Sequence, residues 1–120
     1  KMQMFQLPDN LEVVVRFQVK CNAPYGARLL VCGSSPQLGN WDPYMLKALR
    51  LYWQEGNVWR GSAIFRGVNP THLEYKYVLQ FPDAQKIQWE DGNNRKIDIQ
   101  DLYANFKANM YSNGNNNSST

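Results

Sequence analysis

The sequence lacks any long uninterrupted apolar stretch. None of its 120 residues lie in a run approaching the roughly 20 apolar residues needed to span a bilayer, and its start lacks the basic, apolar and small-residue series of a signal peptide. The length predicts one domain with a single modest core. Because the chain begins at Lys1 rather than at a methionine, we expect a fragment or a processed chain of a larger protein.

Cysteine is scarce, with two residues in the chain, and two cysteines do not make a disulfide framework. Cys21 and Cys32 lie near the facing ends of two predicted strands, so a bridge is geometrically allowed. We favour instead two small buried residues that stay reduced. Unpaired cysteines favour an intracellular parent protein, and the sequence says nothing else about localisation.

The sequence also lacks the residue patterns that catalysis requires. His72, the one histidine, stands alone at a predicted strand start. Glu90 and Asp91 are adjacent, so an extended chain sends their carboxylates to opposite sides. There is no nucleophile elbow, phosphate loop or metal-ligand spacing. The sequence therefore gives no argument for an enzyme, and we predict no catalytic residue, no metal and no cofactor.

Charge of either sign is not concentrated along the sequence. Thirteen basic and ten acidic residues give a net charge of +3, and the basic residues are scattered along the sequence. This pattern favours a mixed polar surface over a stripe that follows phosphates.

Period-two alternation of apolar and polar residues is the main structural signal. It is strongest over Glu12–Cys21 and Leu73–Phe81, which predicts two half-buried strands. Shorter stretches with the same character complete the set: Leu29–Cys32, Lys47–Leu51, Val58–Phe65, Lys86–Trp89, Lys96–Ile99 and Leu102–Phe106. We predict an all-β fold, an antiparallel immunoglobulin-like β-sandwich of seven or eight strands, with a five-stranded open barrel as the alternative.

The carboxyl-terminal end changes composition. From Asn109 onward the chain is rich in Asn, Ser and Gly, which predicts a solvated tail. No stretch indicates an amphipathic helix. We therefore expect a domain over residues 1–108, with its core at about 11–107, followed by a disordered tail over 109–120.

Aromatic residues are abundant, with four Trp, seven Tyr and five Phe. Trp59 lies within an apolar strand, so we expect it in the core. Trp41 lies in a loop rich in Gly, Pro, Asn and Asp, and Trp89 precedes Glu90, Asp91, Gly92 and Asn93. Two indoles in polar loops favour a sugar-binding platform, because an indole face attracts the C–H face of a glucose ring while polar neighbours bond the hydroxyls. Such a shallow site predicts affinity of about micromolar or poorer.

The ordered motifs resemble the starch-binding domain, carbohydrate-binding module family 20. They are Val15–Val19, Leu30–Pro43 with its Leu-Gly-Asn-Trp, Trp59, Leu73–Val78 with its Glu-Tyr-Lys-Tyr, and Trp89-Glu90 followed by Asn93-Asn94-Arg95. Together they extend over about residues 13–100. The resemblance implies a non-catalytic β-sandwich that holds starch- or glycogen-like α-1,4-glucan and accompanies a catalytic domain such as an amylase, a glycogen phosphatase or a phosphodiesterase.

The resemblance also implies two ligand sites. In the first, Trp41 and Trp89 stack on glucose while Lys76, Glu90 and Asn94 bond sugar hydroxyls, and Arg95 braces the loop. In the second, the candidates are Tyr25, Tyr52 and Trp53.

Two other functions fit the pattern. One is an immunoglobulin-like protein-interaction domain without sugar binding. The other is a single-stranded nucleic-acid binder, since a small basic β-domain with exposed aromatics suits that class, although the scattered basic residues argue against it. We expect a monomeric module of a larger protein whose partner is α-glucan, with no nucleic-acid or membrane partner.

Overall fold

Seven strands and two helical segments make up the chain in the computed structural model, which describes residues 10–44, 47–66, 72–83 and 85–118, with side chains through Met110. The strands are β1 (Glu12–Lys20), β2 (Arg28–Gly33), β3 (Leu49–Gln54), β4 (Val58–Arg66), β5 (His72–Gln80), β6 (Ile87–Trp89) and β7 (Arg95–Asp98). A 3-10 segment spans Pro36–Trp41, and helix α1 spans Ile99–Ser118.

All strand pairs are antiparallel, in the order β1-β4-β3-β2-β5-β6, and β7 also pairs with β5. Strand β3 connects the two layers of the sandwich. Its first half, Leu49–Leu51, pairs with β2, whereas Tyr52–Gln54 pair with β4. One layer is therefore β1-β4-β3, and the other is β2-β5 with β6 and β7.

The main core lies between these layers. Alternate residues of each strand supply it: Val15 and Phe17 of β1, Leu29 and Val31 of β2, Leu51 of β3, Trp59, Ala63 and Phe65 of β4, and Leu73 of β5. The ring of Phe17 meets the edge of Tyr75 at 5.1 Å between centroids. The predicted antiparallel sandwich of seven or eight strands is confirmed, and Trp59 is in the core as expected.

A second apolar cluster covers the outer face of β2 and β5. It contains Leu30, Cys32, Ala48 and Val78, and Trp41, Ile87 and Trp89 pack against it. The cluster explains why β2 is buried on both faces after Arg28. Neither cysteine is in a disulfide, in line with the favoured prediction, but only Cys32 is buried, whereas Cys21 is half-buried. Burial raises the pKa of the Cys32 thiol to about 11.

Helix α1 corrects the prediction for the carboxyl-terminal segment. The predicted strand at Leu102–Phe106 is wrong, because these residues lie within the helix. Asp98 precedes the first turn, and its Oδ1 accepts a hydrogen bond from the backbone nitrogen of Asp101 at 3.1 Å, which is an N-cap. Ile99 is buried and Tyr103 packs against the main core, so the apolar residues follow a helical spacing.

The helix continues to Ser118, through residues for which composition predicts a disordered tail. The predicted ends of the domain and tail, residues 1–9 and 119–120, lie outside the described residues. No helix within the residues that the structure describes has the length and apolar character needed to span a membrane.

Candidate functional site

The rings of Trp41 and Trp89 lie side by side on the outer face of β2 and β5. Their centroids are 6.2 Å apart and their planes are tilted by 43°. Both side chains are half-buried, since each packs against the second apolar cluster while the rest of the ring faces solvent. The structure therefore brings together two residues that lie far apart in the sequence and fixes them as one angled aromatic surface.

The loop that carries Trp41 has an unusual backbone. Gly39, Asn40 and Trp41 have φ of 81°, 51° and 64°, all in the left-handed region. Such a conformation is rare for a bulky residue and is found where function requires it. Gly39 cannot be replaced without strain, because a Cβ there would lie 2.7 Å from the backbone nitrogen of Ala48. The loop holds the Trp41 ring over the cluster at a cost in backbone energy.

Trp89 ends strand β6, where its register partner is Val78 of β5. The backbone nitrogen of Glu90 then donates to the carbonyl oxygen of Tyr77 at 2.9 Å. This bond extends the attachment to β5 by one residue. The indole is thus positioned from both sides, by the sheet and by the start of the following loop.

Lys76 ties that loop to β5. Its Nζ donates to the carbonyl oxygen of Glu90 at 3.0 Å and also to that of Gly92. Lys76 is the register partner of Cys32 on the outer face of β5, and its side chain reaches the Trp89 loop from there. Two of the three ammonium donors are used inside the protein, which leaves one for a ligand.

Glu90 is held by Arg95 and by the backbone of β5. The Arg95 Nε lies 3.1 Å from Glu90 Oε1 and 2.8 Å from Oε2, and a terminal guanidinium nitrogen lies 2.7 Å from Oε2. The backbone nitrogen of Tyr77 donates to Oε1 at 3.2 Å. The hydrogen bonds from Arg95 hold the pKa of Glu90 below its ordinary value of 4.5. Arg95 braces the loop, as the sequence predicts.

Asn94 lies at the far end of the same loop. Its Nδ2 donates to Glu74 Oε1 at 3.1 Å, and its side chain is half-buried. Glu74 lies two residues before Lys76 on the same polar face of β5, so it contributes to this site. The sequence-based prediction did not include it. The alternation along β5 is the signal that could have found it.

The second candidate set also converges. Tyr25, Tyr52 and Trp53 line a hollow of about 470 Å³ together with Pro24 and Arg50. Tyr25 is fully exposed, and more than half of each of the Tyr52 and Trp53 side chains is exposed. Trp53 Nε1 donates to Asn57 Oδ1 at 3.0 Å, which fixes its ring at the β3–β4 hairpin.

Arg50 is a residue of this hollow that the sequence analysis missed. Its guanidinium carbon lies 4.9 Å from the centroid of the Tyr52 ring, a distance typical of a cation–π contact. The two-residue spacing in a strand, which places Arg50 and Tyr52 on one face, is the signal that could have found it.

Comparison with known proteins gives a consistent result. Residues 12–109 match the family model described as a starch binding domain. The chain is 30% identical over 89 residues to a 4-alpha-glucanotransferase DPE2 of Oryza sativa subsp. japonica and 31% identical over 91 residues to a glucoamylase of Neurospora crassa, covering 73% of this chain in both cases. It spans only 9% and 14% of those two relatives.

Among solved structures, the family 20 carbohydrate-binding module of the maltotetraose-forming amylase from Pseudomonas saccharophila STB07 is similar, with a TM-score of 0.60 and 28% identity. The alignment covers 72% of this chain and 89% of that module. The chain thus corresponds in extent to an isolated module, whereas the two enzymes are much longer. It belongs to the starch-binding domain family, carbohydrate-binding module family 20, and is a non-catalytic β-sandwich that binds starch-type α-glucan.

Proposed function

We propose that this domain holds α-glucan by stacking neighbouring glucose residues on Trp41 and Trp89. The observation that carries the proposal is the 43° tilt of two solvent-facing indoles at 6.2 Å. Stacking on each ring removes apolar sugar surface from water. Because the rings form an angle, they suit a curved α-1,4 chain better than a flat one.

Polar groups beside the rings would bond the equatorial hydroxyls. Lys76 has one ammonium donor left after its two loop bonds, and the amide oxygen of Asn94 stands beside its bonded Nδ2. Glu90 differs, since its two oxygens together accept four internal contacts. We assign Glu90 mainly to holding the Trp89 loop, with its remaining lone-pair sites facing the ligand.

A second site at Tyr25, Tyr52 and Trp53 is part of the proposal. Its support is that three exposed rings share one hollow. Two sites on one module would allow a single polysaccharide particle to be held twice, which raises avidity without any new contact.

The role that we propose in the parent protein is based on the short length of this chain relative to its relatives. The chain spans a small part of two glucan-processing relatives, so we propose that it acts as a monomeric module that brings an attached catalytic domain to starch or glycogen. Neutral sugar is the ligand of the Trp41–Trp89 platform, and neither nucleic acid nor membrane is its partner.

Depletion by insoluble starch tests the platform. The wild type should leave the supernatant as starch is added, whereas Trp41→Ala and Trp89→Ala should each need about tenfold more starch. Phe106→Ala, which removes an exposed ring from α1, is the matched control and should behave as wild type. Tyr52→Ala reports the second site through a smaller loss.

Two results would contradict the proposal. Folded Trp41→Ala and Trp89→Ala variants that bind starch as wild type would move the site elsewhere. A folded wild type that no glucan retains would favour an immunoglobulin-like interaction domain that has lost sugar binding.

A further inference from the structure

The outer face of β1, β4 and β3 carries the chain's excess of positive charge. Five exposed basic side chains lie on it. Strand alternation assigns Arg16, Lys20, Arg60 and Arg66 to this face, and Arg50 borders it, two residues before Tyr52 in the half of β3 that pairs with β2. Glu12 is its one acidic residue. The remaining eight basic and nine acidic residues of the sequence nearly balance. The net charge of the whole chain therefore resides on this surface, which we call the basic face.

Most of this charge is not neutralised within the protein. Glu12 pairs with Arg66, where Glu12 Oε2 and Arg66 Nε are 2.7 Å apart. In the described ranges, no carboxylate forms an ion pair with the other four basic residues of this face, Arg16, Lys20, Arg50 and Arg60. Four cations are thus left to attract an anion from solution.

Arg60 is held in place without losing its charge. Its Nε donates to Gln18 Oε1 at 2.8 Å, and its NH1 donates to Gln54 Oε1 at 2.9 Å. Both acceptors are neutral amides from the flanking strands. The guanidinium is therefore fixed with its remaining N–H groups free, which suits the fork geometry by which arginine binds phosphate oxygens.

The basic face is continuous with the second candidate glucan site. Tyr52 is the register partner of Arg60 and a wall of the hollow with Tyr25 and Trp53. Arg50 lies over the Tyr52 ring and lines the same hollow. A glucan chain seated there would run directly onto the arginines.

We propose that the basic face binds phosphate monoesters carried by α-glucan, so that the module prefers phosphorylated over neutral polysaccharide. The proposal rests on the proposed glucan function, because it takes the polymer from the second site. A glucan has no ionisable group of its own, and an esterified phosphate supplies the dianion that arginine recognises. Nucleic acid suits the face less well, since the nearby rings of Tyr25, Tyr52 and Trp53 are gathered in one hollow, whereas single strands need a series of stacking rings along a groove.

The test compares amylopectin rich in phosphate monoesters with the same material after phosphatase treatment. The wild type should bind the phosphorylated form about fivefold more tightly in low salt, and the advantage should vanish as NaCl rises from about 0.05 M to about 0.5 M. In Arg16→Gln/Arg60→Gln the advantage should be lost while binding of the neutral form is retained. Arg28→Gln/Lys86→Gln removes equal charge from the other layer, and this variant should keep the advantage for phosphorylated glucan.

The outcomes separate this proposal from the previous one. Equal wild-type affinity for both glucans, or an advantage that survives in the folded Arg16/Arg60 variant, overturns the basic-face proposal and leaves the tryptophan platform standing. Binding of phosphorylated glucan alone, insensitive to Trp41→Ala and Trp89→Ala, overturns the platform instead. Tighter binding of a thymidine oligonucleotide than of phosphorylated glucan assigns the face to nucleic acid and contradicts the proposal.

Discussion

The guanidinium of Arg95 contacts both carboxylate oxygens of Glu90, with Nε 3.1 Å from Oε1 and 2.8 Å from Oε2, and a terminal nitrogen 2.7 Å from Oε2. Glu90 follows Trp89 directly, so this pair determines where the loop leaves the sheet. We therefore propose that Glu90 serves sugar binding chiefly by holding the Trp89 indole in place. This differs from the direct hydroxyl contact that family resemblance implies.

Replacing Glu90 by Gln should make the free energy of unfolding less dependent on pH in the acidic range. Because Arg95 holds the folded pKa of Glu90 below 4.5, the carboxylate stabilises the fold above that pH, and the contribution is lost as the pH falls below it. Glu90→Gln should therefore be less stable than wild type by about 1 kcal/mol at pH 7, and the difference should shrink by pH 3. Urea unfolding at both values measures it.

The matched control is Glu74→Gln, which alters a carboxylate on the same strand face that accepts from Asn94 rather than from Arg95. A stability difference between wild type and Glu90→Gln that stays constant from pH 7 to pH 3 would show that the ion pair contributes nothing.

Lys76→Met should weaken glucan binding more than it weakens the fold. Methionine keeps much of the apolar stem but cannot donate to the carbonyls of Glu90 and Gly92, so the Trp89 loop loses two ties. We expect about tenfold lower affinity for maltoheptaose by calorimetry and faster hydrogen exchange at the backbone amides of residues 91–93. Lys86→Met serves as control, and unchanged exchange in Lys76→Met would contradict the bracing role.

Trp41 offers a comparison of strain with function. At φ 64° a glycine is tolerated better than any residue with a Cβ. Trp41→Gly should therefore be more stable than Trp41→Ala by about 1 kcal/mol, although both lose the stacking ring and both should bind glucan more weakly to the same extent. Thermal unfolding of the pair decides the matter, and an alanine variant as stable as the glycine variant would mean that the backbone there is not strained.

The Cys32 thiol should be unreactive in the folded protein. Burial raises its pKa to about 11, so the thiolate that reacts is almost absent at pH 8. In a Cys21→Ser variant, a thiol reagent should label nothing before unfolding and one cysteine afterwards. Rapid labelling of the native variant would show that the second apolar cluster opens, and with it the support beneath both platform tryptophans.

The strands and the platform could be predicted because their signals are local. Alternation along β1 and β5 follows from the two-residue period of a strand, and Trp41 stands out because polar, breaker-rich sequence surrounds it. The left-handed backbone at Asn40 and Trp41 has no such signal, since it depends on the space between Gly39 and Ala48.

Two structural features are not predicted from the sequence, each for a different reason. Helix α1 has sequence signals in Asp98, a possible N-cap, and in the helical spacing of Ile99, Leu102, Tyr103 and Phe106. The short apolar run at Leu102–Phe106 also fits a strand, which is why a strand is predicted there. The basic face was not readable, because Arg16, Arg50 and Arg60 are far apart along the chain. Only the strand order of β1, β4 and β3 brings these arginines onto one surface.

The most direct test of the platform is a tryptophan-fluorescence titration with β-cyclodextrin, a cyclic α-1,4-glucan with no charge. Wild type should show a saturable change that is insensitive to salt, and Trp53→Phe should retain it because Trp41 and Trp89 remain as reporters. Trp41→Ala and Trp89→Ala should each weaken it by about tenfold or more. A saturable change of undiminished affinity in folded Trp41→Ala and Trp89→Ala would contradict the account.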